Sequence, residues 1–275
     1  MIDLLTITNL PELAARCDQM PGMRLFVDLE RNGKAARQKG HDTFISNHHV
    51  GDVGLVKAVL KQSRLMVRVN PVELDNLVAS KVEVDAVLDQ GADMIMLPMF
   101  SHPEELRAFS DIVAGRVPIV ALLETPGALS SLDSWIDMPV IHEVFVGLND
   151  LHLSLGCRFM FEPLLLGHVE RVAAAARARG MHFGFGGIAR MDEGVLPGHD
   201  VLAEHVRLGS RAVILSRTFN RANTQLGEKT FEQAVAELRL DELELGLRSL
   251  ERIEEDRLHA YGLIAELAEA AKVLA

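Results

Sequence analysis

Cysteine is nearly absent from this chain. Cys17 and Cys157 are the only two in 275 residues, too few and too far apart for a disulfide framework or a cysteine-based metal site. Positive charge is also in deficit: 28 Lys and Arg stand against 39 Asp and Glu, a formal charge of −11. A nucleic-acid groove draws its affinity from clustered Lys and Arg, so this balance argues against one. No apolar run reaches bilayer-spanning length, so no membrane partner is expected. The N-terminal MIDLLTITNLPELAARCDQM lacks a basic region followed by an apolar core and a small-residue cleavage site. A soluble cytoplasmic protein is the expectation. Internal repeats, low-complexity segments and Pro/Ser-rich linkers are missing, so nothing marks a domain boundary. A Gly-rich G-x-G-x-x-G turn is missing too. The stretch after the first expected strand reads RNGKAARQKG, and GFGG at 184–187 lies in the wrong place for that turn. This weakens an open, doubly wound sheet.

What remains is a series of short apolar runs in a chain that is 48% hydrophobic. Buried strands are expected at Met23–Glu30, Thr43–Ser46, Leu65–Asn70, Ala92–Phe100, Pro118–Leu123, Val144–Gly147, within HFGFGGIAR and at Arg211–Leu215. Helical segments lie between nearly all of them. Leu10–Gln19 has Pro11 in its first turn. Glu73–Gln90 stops at Gly91. Ser101 and Glu104 suit a helix start, and Glu162–Gly180 is long and rich in Ala and Arg. Eight strands alternating with helices predict a (β/α)8 TIM barrel over 1–227. The Glu-, Leu-, Ala- and Arg-rich residues 228–275 predict a helical extension packing on the barrel or on a neighbouring subunit. A homo-oligomer is the expectation.

Two of the apolar runs end in a carboxylate, Glu124 and Asp150. An acid at a buried strand tip is costly unless paired. Two such acids can hold one hard divalent cation, with water and substrate oxygens completing the shell. In the plainer reading, Glu124 caps the next helix and Asp150 closes a turn. Asp28, Glu30, His48, His49, Arg68, Asn70 and Asn149 also fall at expected strand ends. In a barrel all of them share one rim. The set suits a reaction with a developing oxyanion: acids for a metal, Arg68 for fixed positive charge, a His to move a proton. Only one of His48 and His49 can face a given site. Arg68 could equally be a structural ion pair with Asp28 or Glu30. The Met-rich MIMLPM reads as core.

The motifs VRVNP, GADMIMLPMFSHPEEL, LLETPGAL and FVGLNDLHLSLG, in this order, resemble the HpcH/HpaI aldolase/citrate lyase superfamily from about Met23 to Leu215. The resemblance implies a barrel of the phosphoenolpyruvate/pyruvate type. It implies metal ligands at Glu124 and Asp150 and an enolate-stabilising arginine at Arg68. Substrate-carboxylate contacts would fall around Gly147, Leu148 and Asn149. Two departures stand out. The aldolase branch pairs a catalytic His with an Asp three residues earlier, and here Ile45 precedes His48 at that spacing. Asp52 is then a candidate to orient His48. The lyase branch carries a second Asp where DLERNGKAAR has Arg31.

The expected function is a divalent-metal-dependent carbon–carbon lyase or aldolase. It acts through the enolate of a 2-keto acid such as pyruvate or oxaloacetate, with an aldehyde as partner. Mg2+ or Mn2+ suits hard oxygen ligands, Arg68 and His48 are the catalytic pair, and no organic cofactor is needed. One alternative is a lyase or synthase acting on a CoA thioester, with Lys34, Arg37, Lys39 and Arg190 as phosphate contacts. The other is a non-catalytic barrel with a binding or assembly role.

Overall fold

The computed structural model describes residues 1–32, 46–221 and 229–274. Eight parallel strands close a barrel in sequence order. They are β1 (Asp3–Ile7), β2 (Met23–Asp28), β3 (Arg64–Arg68), β4 (Met94–Leu97), β5 (Ile119–Leu123), β6 (Ile141–Val146), β7 (His182–Ile188) and β8 (Ala212–Leu215). The ring closes where Leu4 pairs with Val213 and Leu5 with Ile214. The (β/α)8 expectation is therefore met.

One strand was placed wrongly. The ring begins at Asp3–Ile7, a segment the sequence reading assigned to no element. It is only five residues long, too short to show a clear period, yet Leu4 and Leu5 are fully buried. Of the strand expected at Thr43–Ser46, Thr43–Ile45 lie outside the described residues and Ser46 is in no strand, while the eight described strands close the ring.

The pleat sorts side chains between two cores, because successive residues of a strand face opposite sides. Leu5, Phe26, Met66, Met94, Met96, Val120, Leu122 and Phe145 fill the barrel interior. Their neighbours Leu25, Val27, Leu65, Val67, Ile95, Leu97, Ala121 and Val144 pack outward under the helices. The reading of MIMLPM as core thus holds for both strand methionines. At the amino-terminal end of the barrel the same interior rows carry charge. Arg24 Nη1 donates to both oxygens of Glu143, at 2.8 and 2.9 Å, and Nη2 donates to Asp3 at 2.5 Å. Both Arg24 and Glu143 are buried, so this ion pair floors the barrel and satisfies its own charges.

Several helix boundaries move. The start expected at Ser101 lies at His102, whose amide, with that of Ser101, donates to Glu105 rather than pairing with Glu104. The expected helix Glu162–Gly180 is two pieces, Glu162–Leu165 and His168–Ala178. They part at Gly167, whose φ of 74° suits a residue without Cβ. The C-terminal residues form two helices, Phe231–Gly246 and Leu250–Leu274. The second lies against the barrel's own helix Gly198–Leu208 and against Glu162–Leu165, burying Ala260 and Ile264. Among the described residues no helix is long and apolar enough to cross a membrane.

Candidate active site

The interior rows continue past the carboxyl ends of the strands, and this continuation builds the site. Two residues beyond Phe26 is Asp28; two beyond Met66 is Arg68; two beyond Leu122 is Glu124. Arg68 is held in a fork. Its Nε and Nη2 donate to the two oxygens of Asp28, each at 2.8 Å, and Nη1 lies 3.3 Å from Glu30 Oε2. Asp28 and Glu30 are almost wholly buried and Arg68 is 13% exposed. Burial alone would lower the Arg68 pKa; the charge and hydrogen bonds of Asp28, with Glu30 and Glu124 behind it, raise it. The guanidinium is a fixed positive charge at the mouth of the barrel.

His48 is buried beside this group. The backbone amide of Asp28 donates to His48 Nδ1 at 3.1 Å. An imidazole nitrogen that accepts has no proton of its own, so the neutral ring carries its hydrogen on Nε2. Ser46 Oγ donates to Asp28 Oδ2 at 2.9 Å, fixing the same carboxylate from the other side. Asp52 does not orient His48: its Oδ2 accepts from the His49 amide at 2.8 Å and from Asn9 Nδ2 at 3.1 Å, tying down the start of helix Val50–Lys57.

Glu124 lies one residue past β5 and is 1% exposed. It does not cap the following helix. Thr125 does that, accepting from the Ala128 amide at 3.0 Å and donating to the Phe100 carbonyl at 2.7 Å. Glu124 Oε1 instead accepts from the Met99 amide at 3.0 Å. Met99 has a φ of 57°, a strained conformation for a residue with a Cβ, and this aims its N–H at the carboxylate. Gly147 faces the other oxygen. A Cβ there would stand 2.6 Å from Glu124 Oε2. Asp150, 6% exposed, sits in the first turn of helix Leu148–Ser154. Burial raises the Glu124 pKa, and the charges of Asp150 and Glu30 add to this against the pull of Arg68.

A buried carboxylate whose ionisation is made costlier by burial and by a second carboxylate beside it is what a bound cation relieves. Their donor set is oxygen only, which suits Mg2+ or Mn2+. Among the described residues no group of three or more His, Cys, Asp or Glu could hold a metal ion. An ion here would rest on Glu124 and Asp150 and take its remaining ligands from water and substrate. On these grounds the residues fit such an ion.

The HpcH/HpaI aldolase/citrate lyase family model matches residues 8–193. The chain belongs to this family. That places it among aldolases and lyases that act on carbon–carbon bonds. Solved structures superpose on it with low identity. An HpcH/HpaI aldolase from Desulfitobacterium hafniense DCB-2 gives a TM-score of 0.59 at 18% identity, covering 78% of this chain and 86% of the other. An HpcH/HpaI aldolase/citrate lyase family protein from Burkholderia cenocepacia J2315 gives 0.60 at 18%, covering 86% and 95%. A citrate lyase from Burkholderia xenovorans LB400 gives 0.63 at 15%, covering 91% and 78%. At such identities the likeness concerns the fold. No curated protein matches the chain.

As a member of the HpcH/HpaI family, the chain brings together most of its expected site residues. Asp28, Glu30, His48, Arg68, Glu124, Gly147 and Asp150 converge on one rim. Leu148 is buried, while Gly147 and Asn149 are half-buried. His49 and Asn70 play other parts. His49 is exposed at the start of its helix. Asn70 Oδ1 accepts from the amides of Arg31 and Asn32, at 2.8 and 2.9 Å, and its Nδ2 donates to Glu83 at 2.7 Å. It braces the loop after β2. Lys34, Arg37, Lys39 and Ile45 lie outside the described residues. Sequence reasoning missed Met99 and Ser46. A left-handed Met has no sequence signature, and Ser46 gains its role only when it meets Asp28 across the rim.

Proposed function

We propose that this protein is a divalent-metal-dependent carbon–carbon lyase or aldolase acting through the enolate of a small 2-keto acid, pyruvate or oxaloacetate. The observation that carries the reading is the buried Glu124 carboxylate. The like charge of Asp150 opposes its ionisation, and the guanidinium of Arg68 favours it. A structural barrel gains nothing from leaving these charges at its mouth, whereas enolate chemistry needs each of them.

When bound by Glu124 and Asp150, the cation supplies Lewis-acid polarisation of the keto acid's carbonyl. The remaining roles fall to the chain. Two of the five N–H groups of Arg68 donate to Asp28, and Nη1 lies 3.3 Å from Glu30. The others are available to the oxygen on which charge develops, and the fork prevents the guanidinium from turning away. In the cleavage direction the bond between Cα and the former aldehyde carbon breaks. Its electron pair moves onto the keto-acid fragment and its carbonyl oxygen. The proton that leaves the hydroxyl becoming the aldehyde is the one the enolate carbon gains, carried by water: the water takes it from the hydroxyl and returns it to carbon. His48 donates a hydrogen bond from Nε2 that orients this water and so positions the proton transfer. The first amides of helix Leu148–Ser154 have no partners within the helix. Those of Leu148 and Asn149 are assigned to the substrate carboxylate.

Glu124→Gln is the direct test, with oxaloacetate decarboxylation as the assay in Mg2+ or Mn2+. The variant should fold, by circular dichroism, and lose metal-dependent turnover. Full activity in a folded Glu124→Gln protein would sink the assignment.

A further inference from the structure

Arg24 and Arg68 show how this chain treats a guanidinium withdrawn from water: each meets two carboxylates. Arg190 is the exception among the described residues. It stands two positions past β7, at the same rim as Glu124, and is 5% exposed. No described carboxylate pairs with it. Its Nε has no hydrogen-bond partner, and Nη2 reaches only the Phe219 carbonyl, at 3.4 Å. A buried lysine could relieve such a position by losing its proton, but arginine cannot. Only an anion can compensate it.

The surroundings have room for one. Arg190 lines a cavity of about 200 Å3 together with Asp192, Glu193, Arg221, Lys229 and Glu237. Arg221 pairs with Glu193, and Lys229 with Glu237. These four charges cancel in pairs. Asp192 faces Lys229, whose pKa its charge helps to raise, while Arg190 opposes that rise as a like charge. Arg190 is thus the buried, uncommitted cation of the group, and the exposed Arg221 and Lys229 stand beside it. The backbone holds it in place: its own amide donates to Thr218 Oγ1 at 3.1 Å, and its carbonyl accepts from Glu193 at 2.9 Å. The volume is below that of a pocket for a drug-sized ligand but spacious for a tetrahedral oxyanion with a few waters. The Nε–Nη2 edge of a guanidinium matches two oxygens of a phosphate. In parallel barrels, phosphate groups are commonly bound by the loops after the seventh and eighth strands, and those are the loops involved here.

The geometry points to a phosphate-binding site on Arg190, lined by Asp192 and Glu193 after β7 and by Arg221 and Lys229 after β8, and separate from the Glu124–Asp150 pair. Its ligand is a phosphate group, either free inorganic phosphate or the phosphate of a phosphorylated small molecule. The test is binding of inorganic phosphate to the full-length protein in the presence of a chelator, so that no metal can recruit the anion. Isothermal titration and 31P line broadening both read it without catalysis. Wild type should bind at millimolar phosphate or below. Arg190→Gln should weaken binding by about tenfold or more, and Arg190→Lys, which keeps the charge but loses the fork, by a smaller factor. Lys229→Gln, at an exposed position, should fold normally and give a several-fold loss. Absence of phosphate binding to wild type, or equal binding by wild type and Arg190→Gln, overturns the site. A second arm identifies the source and rests on the aldolase reading: pyruvate with glyceraldehyde against glyceraldehyde 3-phosphate. A preference for the phosphorylated aldehyde that Arg190→Gln removes assigns the site to substrate. Phosphate binding without that preference assigns it to the free anion. Because the first arm needs no turnover, its result stands whether or not the enolate reading does.

Discussion

Arg68 and Asp28 meet side-on, with Nε and Nη2 each 2.8 Å from one carboxylate oxygen. The geometry is available only to a guanidinium, because an ammonium cannot make two parallel bonds in one plane. Arg68→Lys keeps the charge and loses the orientation. On the scale of removing one preorganised donor, kcat should fall by about 100-fold, with a smaller change in KM for the keto acid. Steady-state kinetics reads the split, and a kcat equal to wild type would remove the fork from the mechanism.

Gly147 is required by Glu124. A methyl group at 147 would press within 2.6 Å of Oε2 and 3.0 Å of the Glu124 Cβ, so the carboxylate must turn. Gly147→Ala should therefore weaken Mn2+ binding by about tenfold while leaving the fold intact. Titration followed by electron paramagnetic resonance measures this; unchanged affinity would show that Glu124 does not hold the ion.

The bond from the Asp28 amide to His48 Nδ1 fixes a tautomer. In 15N spectra of selectively labelled protein at neutral pH, His48 should show a protonated Nε2 and a bare Nδ1. His48→Ala should lower kcat by about 100-fold or more if the ring positions the proton transfer. The opposite tautomer would contradict the assignment of His48 as donor through Nε2.

His205 links pH to stability. It is fully buried, stacks on Phe185 with ring centroids 3.7 Å apart, and meets Ser210 Oγ at 2.8 Å. Burial pushes its pKa down to about 3 from an ordinary 6.5. The unfolded chain therefore binds a proton that the folded one refuses between these values. Stability is full above about pH 6.5 and falls as pH drops toward 3. At pH 5 the loss from this group is about 2 kcal/mol. Denaturant titrations at pH 7 and pH 5 should differ by about this amount in wild type and by much less in His205→Leu. An equal pH dependence in both would exclude His205 as the cause.

The sequence made legible whatever depends on local period and on strand tips. The strands around Met66, Ile95, Val120 and Phe145 lie where their apolar runs predicted. Their two-residue period carries Arg68 and Glu124 to the interior side. The plainer reading fails for Glu124, since Thr125 caps the next helix, and is met for Arg68, whose ion pairs with Asp28 and Glu30 are present. His48 was singled out at the tip of a strand expected at Thr43–Ser46, of which the described Ser46 is in no strand, and its orienting partner is a backbone amide from β2. That partner exists only once the ring closes. Asp3–Ile7 was missed because five residues, DLLTI, are too few to show a clear period. The bond from Met99 to Glu124 depends on a strained backbone, which leaves no trace in composition. Arg190 was legible as a basic residue but not as a buried one.

The central claim is that this rim forms an enolate. Exchange of the pyruvate α-protons with solvent deuterium, followed by NMR with and without Mg2+ or Mn2+, tests it without needing the aldehyde. The account predicts exchange that requires the metal and falls to background in a folded Arg68→Ala variant. Absence of exchange with either ion, or exchange equally fast in Arg68→Ala, would contradict it.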